Sequence, residues 1–284
     1  MVQRDAPWWG AAIALLAMSS ALAIALLLPE TFSDPNGLDP HVLRLSLVGT
    51  VLGGASLVSR RLAPARPVLL AMATVTIAFS VFSGTPRILV AMFGAGISGP
   101  AQLFWASVAQ LAATGALGWT TWAGVSPDMR PDLRLHRFSL GAVAVTAIGI
   151  VLFVPIGIAI PAGLLGREGI AVVAVGRDMG WLAPACLLQA LCQEIQFRGL
   201  LQGALERVAP LWPANLAQAA VFGAAHLAIQ YPGPIGPFVP VTMGFGVLFG
   251  VLVQRTGSLW PAVLIHAAAD IAITVAVIPG LYGL

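Results

Sequence analysis

Residues 188–207 read LQALCQEIQFRGLLQGALER, and this stretch decides the fold class because it places charged groups inside an apolar run. A charged side chain at the centre of a membrane helix costs about 2.5–3.5 kcal/mol on insertion scales. Glu194 and Arg198 are four residues apart, so a helix would place them on one face, where they can pair. A carboxylate held in this way inside a membrane indicates a functional site.

The composition of the whole chain predicts an integral membrane protein. Of the 284 residues, 58% are hydrophobic and only 9% are charged, and the mean hydropathy is +0.92. Soluble domains carry about 25% charged residues. The apolar runs are continuous rather than alternating, which favours transmembrane helices over barrel strands. We therefore expect an all-α, polytopic transmembrane helical bundle with about eight to nine spans.

The charged residues between the apolar runs predict the orientation. The net charge of +3 comes from arginine without any lysine, and these arginines stand singly or in pairs. This pattern is typical of membrane orientation signals rather than of a nucleic-acid surface. Basic segments at 60–66 and 127–137 are placed in the cytoplasm and the acidic segment 29–40 outside. We expect a multi-pass protein of a bacterial-type cytoplasmic membrane with its N-terminus inside, and no nucleic-acid partner.

The apolar runs define the predicted spans. They lie at about 8–28, 42–58, 67–82, 101–122, 138–165, 181–208, 212–230, 238–253 and 259–278. Residues 83–100 are ambiguous because their apolar part is too short to cross a bilayer. Residues 167–180 are predicted to form an outer loop. On this basis residues 1–137 form an N-terminal transmembrane region of unknown role, and residues 138–284 form a C-terminal region with its core at about 181–278.

Three of the last four predicted helices carry polar groups at depth. Glu194 and Arg198 lie on one helix, His226 on a second, and His266 and Asp270 on the last. The spacing predicts one polar face on each helix, and these faces could converge on a water-accessible cavity. A carboxylate can take a proton from water, and an imidazole can position that water or donate to an oxyanion.

Each of these groups also fits a structural role when it is taken alone. The Glu194–Arg198 pair could fix helix packing, and the histidines could be satisfied core residues. Phe222 fits plain core packing. Cys186 and Cys192 are six residues apart, which suggests neither a disulfide nor a metal clip.

Three motifs in this order resemble those of the CPBP intramembrane proteases, also called the Abi or type II CAAX prenyl endopeptidase family. They are QEIQFRG at 193–199, F-x-x-x-H at 222–226 and H-x-x-x-D at 266–270. The family usually reads E-E-x-x-x-R, F-x-x-x-H and H-x-x-x-N/D, and the resemblance covers about a third of the chain, roughly 181–278. It implies a glutamic-type or metallo-endopeptidase that acts in the lipid bilayer on a membrane-tethered protein or peptide.

The resemblance also implies roles for single residues. Glu194 matches the second motif glutamate, Arg198 matches the arginine that holds Glu194 in place, and His226 would orient the water. Because the first glutamate, to which the family's water activation is credited, is Gln193 here, Glu194 is the expected base. His266 and Asp270 would support the oxyanion. No cofactor is required in this interpretation. A divalent metal such as zinc is possible, with Glu194, His226, His266 and Asp270 as its ligands, although the compact H-E-x-x-H spacing of zinc proteases does not occur here.

One position departs from the family pattern. Gln193 stands where the family has its first motif glutamate. Glutamine can hydrogen-bond a water but cannot remove its proton. Three interpretations stay open: Glu194 serves as the base on a rotated helix, Gln193 is a tolerated variant with altered chemistry, or the protein is a catalytically impaired relative that acts as a membrane scaffold and binds a partner.

Overall fold

The structure is a computed structural model that describes residues 40–94, 96–135, 139–165, 172–226 and 238–276. Within these ranges the regular structure is entirely helical, which confirms the predicted fold class. The α-helices are α1 Pro40–Val58, α2 Arg66–Phe93, α3 Gly99–Ala123, α4 Leu140–Leu165, α5 Val172–Glu194, α6 Gly203–Leu205, α7 Leu211–Ala225, α8 Phe238–Thr256 and α9 Trp260–Ala276. A π-helix, Ile195–Gln202, joins α5 to α6, and 3-10 helices occur at Arg60–Ala65 and Pro127–Met129.

The helices differ from the predicted spans in two places. Helix α2 continues to Phe93, so part of the ambiguous stretch 83–100 extends the third span. Pro86 lies inside α2 and removes one backbone donor without ending the helix. Helix α5 begins at Val172, so the predicted outer loop 167–180 is wrong over its second half. This half contains no proline, and single glycine or charged residues weaken a helix without breaking it.

Within the part of the chain that the structure describes, three helical segments are long and apolar enough to cross a membrane. They are Arg60–Phe93, Leu140–Leu164 and Phe238–Thr256, and the apolar helices Leu45–Val58 and Trp260–Ala276 are shorter. These findings support an integral membrane protein. The predicted first span, residues 8–28, lies outside the described residues.

The polar stretch found in the sequence lies at the centre of the bundle. We call residues 172–205, which comprise α5, the π-helix and α6, the motif helix. It packs against α2, α3, α7, α8 and α9. The ring of Phe197 lies 6.0 Å from that of Phe79 in α2 and 5.1 Å from that of Phe222 in α7. The N-terminal helices therefore share one hydrophobic cluster with the C-terminal region.

The loop between α3 and α4 packs against the C-terminal end of the motif helix. A Cβ atom on Gly203 would lie 3.1 Å from Cβ of Pro131, so the close approach of this loop favours a glycine at residue 203. Arg134 in the same loop pairs with Glu206 at 2.5 Å. The loop thus fixes the motif helix from one side.

Helices α7 and α8 approach closely along a glycine of α8. A Cβ on Gly250 would overlap the side-chain amide of Asn215 and would lie 2.8 Å from Nε2 of Gln218. The Gly250→Ala variant should therefore lower the free energy of unfolding by about 1–3 kcal/mol, as overpacking of a core does. Gly244 of the same helix has nothing within 4 Å of an added Cβ. The Gly244→Ala variant is the matched control, and equal thermal unfolding of both variants in detergent would contradict the prediction.

Candidate active site

Polar groups of the C-terminal helices line one cavity between α4, α5, α7, α8 and α9. It offers about 90 Å³ to water-sized molecules, which is room for several waters. Polar groups on its wall include Gln189, Gln193, His226, Thr242, His266 and Asp270. Five phenylalanines make up much of the apolar wall, namely Phe153, Phe222, Phe238, Phe245 and Phe249. The cavity wall therefore combines a polar part with an apolar part.

Glu194 and Arg198 form the predicted ion pair below this cavity. Both side chains are fully buried, and Arg198 Nη1 donates to Glu194 Oε1 over 3.0 Å. The guanidinium also lies 4.3 Å from the ring centroid of Phe222, and its Nη2 donates to the Gly246 carbonyl over 3.3 Å. A buried cation and a buried anion thus neutralise each other, which a membrane interior requires.

His266 connects this ion pair to the cavity. Its Nδ1 lies 2.8 Å from Oε1 of Glu194, and because an ionised carboxylate only accepts, Nδ1 is the donor. The other ring nitrogen, Nε2, lies 3.6 Å from Oδ1 of Asp270. A carboxylate that binds one nitrogen of an imidazole fixes the ring and its tautomer, and so leaves the other nitrogen for chemistry.

His226 stands directly after the last residue of α7 and is held by a backbone group. Its Nδ1 lies 2.8 Å from the carbonyl of Phe222. Because a carbonyl only accepts, Nδ1 carries the proton, and Nε2 of the neutral ring is an acceptor. The Phe222 ring meets the rings of His226 and His266 edge-on, with centroids 4.7 and 5.9 Å apart. The sequence suggested that Phe222 is a plain core residue. In the structure its ring also forms part of the cavity wall.

The structure separates Gln193 from Glu194. Gln193 lines the cavity, is 4% exposed, and its Oε1 is buried without a protein partner. Glu194 does not lie on the described wall, and its carboxylate stands behind His266. Neighbouring helix positions point about 100° apart, which explains the separation. The expectation that Glu194 reaches the water through a rotated helix is therefore corrected: the helix turns Gln193, not Glu194, toward the cavity.

Two features of the site were not predicted from the sequence. Gln189 lines the cavity one helical turn before Gln193, and this i, i+4 spacing could have revealed it. The π-helix begins directly after Glu194, and π-helical turns frequently occur at functional sites. No simple residue pattern signals such a turn.

The residues named as possible metal ligands do not fit a metal site. Among the described residues, no group of three or more His, Cys, Asp and Glu side chains could hold a metal ion. Cys186 and Cys192 are both buried free thiols. We therefore derive no chemical step through a metal.

The fold and the site define an integral membrane protein with acid–base groups around a cavity in its helical core. The family model described as Type II CAAX prenyl endopeptidase Rce1-like matches residues 176–272. The matched residues include all three motifs, so the match confirms the resemblance that these motifs carry. It supports a peptidase as the general class of activity. No curated protein and no solved structure matches the chain.

Proposed function

We propose that the protein is an intramembrane endopeptidase that hydrolyses a peptide bond of a membrane-associated protein with water bound in the cavity. One observation carries the proposal: two imidazoles, a carboxylate and an amide from the motif helix, α7 and α9 meet in a cavity with room for several waters. These are the groups that peptide hydrolysis requires, and they lie inside the family segment.

In this proposal Glu194 is a positioning residue. The hydrogen bond to Glu194 keeps the proton of His266 on Nδ1. The other ring nitrogen, Nε2, then faces Asp270 on the cavity wall. Arg198 balances the charge of Glu194 within the apolar core. The arrangement follows the logic of a hydrolase triad, in which a buried carboxylate orients an imidazole without reacting itself.

His226 acts on the water in this proposal. Its Nε2 is the acceptor of the neutral ring, because Nδ1 is committed to the Phe222 carbonyl. It can therefore accept a hydrogen bond from the attacking water and direct the oxygen lone pair toward a peptide carbonyl. The surrounding phenylalanines exclude bulk water, which strengthens each of these polar contacts.

The substrate in this proposal is apolar and membrane-tethered. The name of the matched family refers to prenylated CAAX sequences, and five phenylalanines around the cavity suit a hydrophobic chain beside the scissile bond. We therefore propose CAAX-protease-like cleavage of a protein held at or in the lipid bilayer.

Two internally quenched probes test this function in purified protein reconstituted into lipid nanodiscs. One is a farnesylated peptide that ends in a CAAX sequence, and the other is an unprenylated transmembrane peptide. We expect cleavage of at least one probe at an internal bond, identified by mass spectrometry. Intact recovery of both probes from folded, monodisperse protein would refute the proposal.

The same assay tests metal dependence. Because no described group could hold a metal ion, hydrolysis should persist after treatment with EDTA or 1,10-phenanthroline. Loss of activity with a chelator and its recovery on addition of zinc would instead require a metal site. A soluble zinc peptidase treated in parallel controls for complete chelation.

One observation favours a second function, that of a membrane scaffold which binds a partner without cleaving it. The amide of Gln193 occupies a cavity wall and cannot take a proton from water. This function predicts that the probes bind in the nanodisc, as measured by fluorescence anisotropy, and are recovered intact.

A further inference from the structure

We infer that Asp270 is the base that takes the proton of the attacking water, and that the amide of Gln193 binds the oxyanion across the same cavity. This inference rests on the proposed peptidase function and specifies two of its catalytic groups.

The first step of the argument concerns access to water. Asp270 lines the cavity, and its side chain is 27% exposed. Glu194 is fully buried, and its Oε1 accepts hydrogen bonds from both Arg198 and His266. Among the residues that the structure describes around the cavity, Asp270 is the carboxylate on the wall. A base must lie within hydrogen-bond reach of the water that it activates, so Asp270 has this role.

The second step concerns the oxyanion. Gln193 is nine-tenths buried, lines the cavity, and has an amide oxygen without a protein partner. A glutamine amide offers two N–H donors without carrying a charge. A donor that is held in place in a water-poor site stabilises a developing oxyanion far better than the same donor in water. The Gln193 amide cannot act as a base, but its N–H groups can donate hydrogen bonds to the oxyanion.

The reaction that follows is balanced in atoms and electrons. The water O–H bond breaks and its proton passes to Asp270, while the water oxygen bonds to the carbon of the scissile peptide. The carbonyl π pair moves to oxygen, which accepts a hydrogen bond from the Gln193 amide. The pair then returns, the C–N bond breaks, and the proton on Asp270 passes to the departing nitrogen. One water is consumed, and a carboxyl group and an amine are formed.

His266 supports this assignment through its position. Its Nε2 lies 3.6 Å from Asp270 Oδ1, while its Nδ1 is bound to Glu194. The ring therefore lies beside the Asp270 carboxyl group, within ion-pair distance but beyond hydrogen-bond distance. The acid and the amide belong to α9 and α5, which pack against each other.

An exchange of the acid and the amide tests the inference. The variants are Asp270→Asn, Gln193→Glu and the double variant that carries both changes, each assayed in nanodiscs with whichever quenched peptide the wild type cleaves. Asp270→Asn should lower kcat about 10²–10⁴-fold, as loss of a general base does. Gln193→Glu should lower it about 10²–10³-fold, because the oxyanion then meets a carboxylate instead of a donor. The double variant again has one acid and one amide, and it should recover at least tenfold over Asp270→Asn.

Gln189 provides the matched control. It lines the same cavity one turn away from Gln193, so the double variant Gln189→Glu with Asp270→Asn adds a carboxylate at the wrong place. Its kcat should stay at the level of Asp270→Asn alone. Gln193→Glu and Asp270→Asn each lower kcat when made alone. Damage to folding therefore cannot explain a recovery that occurs when these two are combined and does not occur when Gln189→Glu is combined with Asp270→Asn.

Several outcomes would overturn the inference. They are wild-type kcat in Asp270→Asn, a rise in kcat for Gln193→Glu alone, and a first double variant no faster than Asp270→Asn. Asp270→Glu keeps the acid, so it should exceed Asp270→Asn by at least tenfold, and failure to do so in folded protein also counts against the base role. A wild type that cleaves neither probe would refute the peptidase function itself, which is a distinct result.

Discussion

The Glu194→Gln variant is expected to lose about 10⁴-fold in kcat, the loss seen when the orienting carboxylate of a hydrolase triad becomes an amide. It should also lose about 3–5 kcal/mol of unfolding free energy, because the buried Arg198 cation then has no counter-charge. Both effects follow from one oxygen, Oε1 of Glu194, which accepts from Arg198 and from His266. Turnover of the quenched peptide and thermal unfolding in detergent measure them.

A second substitution separates the two effects. Combining Glu194→Gln with Arg198→Met removes the unpaired cation and should recover most of the lost stability, since replacing both partners of a buried pair is often neutral. Activity should stay low, because the carboxylate that fixes the His266 tautomer is still absent. Recovery of turnover together with stability would show that Glu194 matters only for folding.

The His266→Ala variant is expected to lower kcat by about 10²–10⁴-fold, because the general base Asp270 then loses the imidazole that lies beside it. The fold should persist, because Glu194 keeps its bond to Arg198 over 3.0 Å. The ring lies between Glu194 and Asp270, so its loss disconnects the buried carboxylate from the cavity. Single-turnover cleavage, with size-exclusion profiles as a check on folding, measures the effect.

Thr274 offers a control on the same helix. It lines the cavity two turns beyond His266 and has no role in the proposed chemistry. The Thr274→Val variant should keep kcat within about threefold of the wild type, because it removes no group that takes part in the proposed chemistry. Comparable losses in Thr274→Val and His266→Ala would mean that packing in α9, and not the imidazole, limits the rate.

Much of the site was predictable from spacing. The i, i+4 relation of Glu194 and Arg198 predicted their pairing, and the structure shows it at 3.0 Å. The same relation placed His266 and Asp270 side by side, and both line the cavity. These predictions succeeded because a helix fixes the direction of each side chain relative to its neighbours on the same face.

The sequence by itself determined the fold class. With 58% hydrophobic residues in continuous apolar runs, the chain belongs in a membrane, where such runs must form helices to satisfy their backbone hydrogen bonds. It also determined that Glu194, Arg198 and His266 lie at depth. Only the tertiary structure decided which of Gln193 and Glu194 faces the cavity, and that His266 stands between Glu194 and Asp270. Spacing within one helix defines its faces, but which face meets water depends on how α5, α7 and α9 rotate when they pack together.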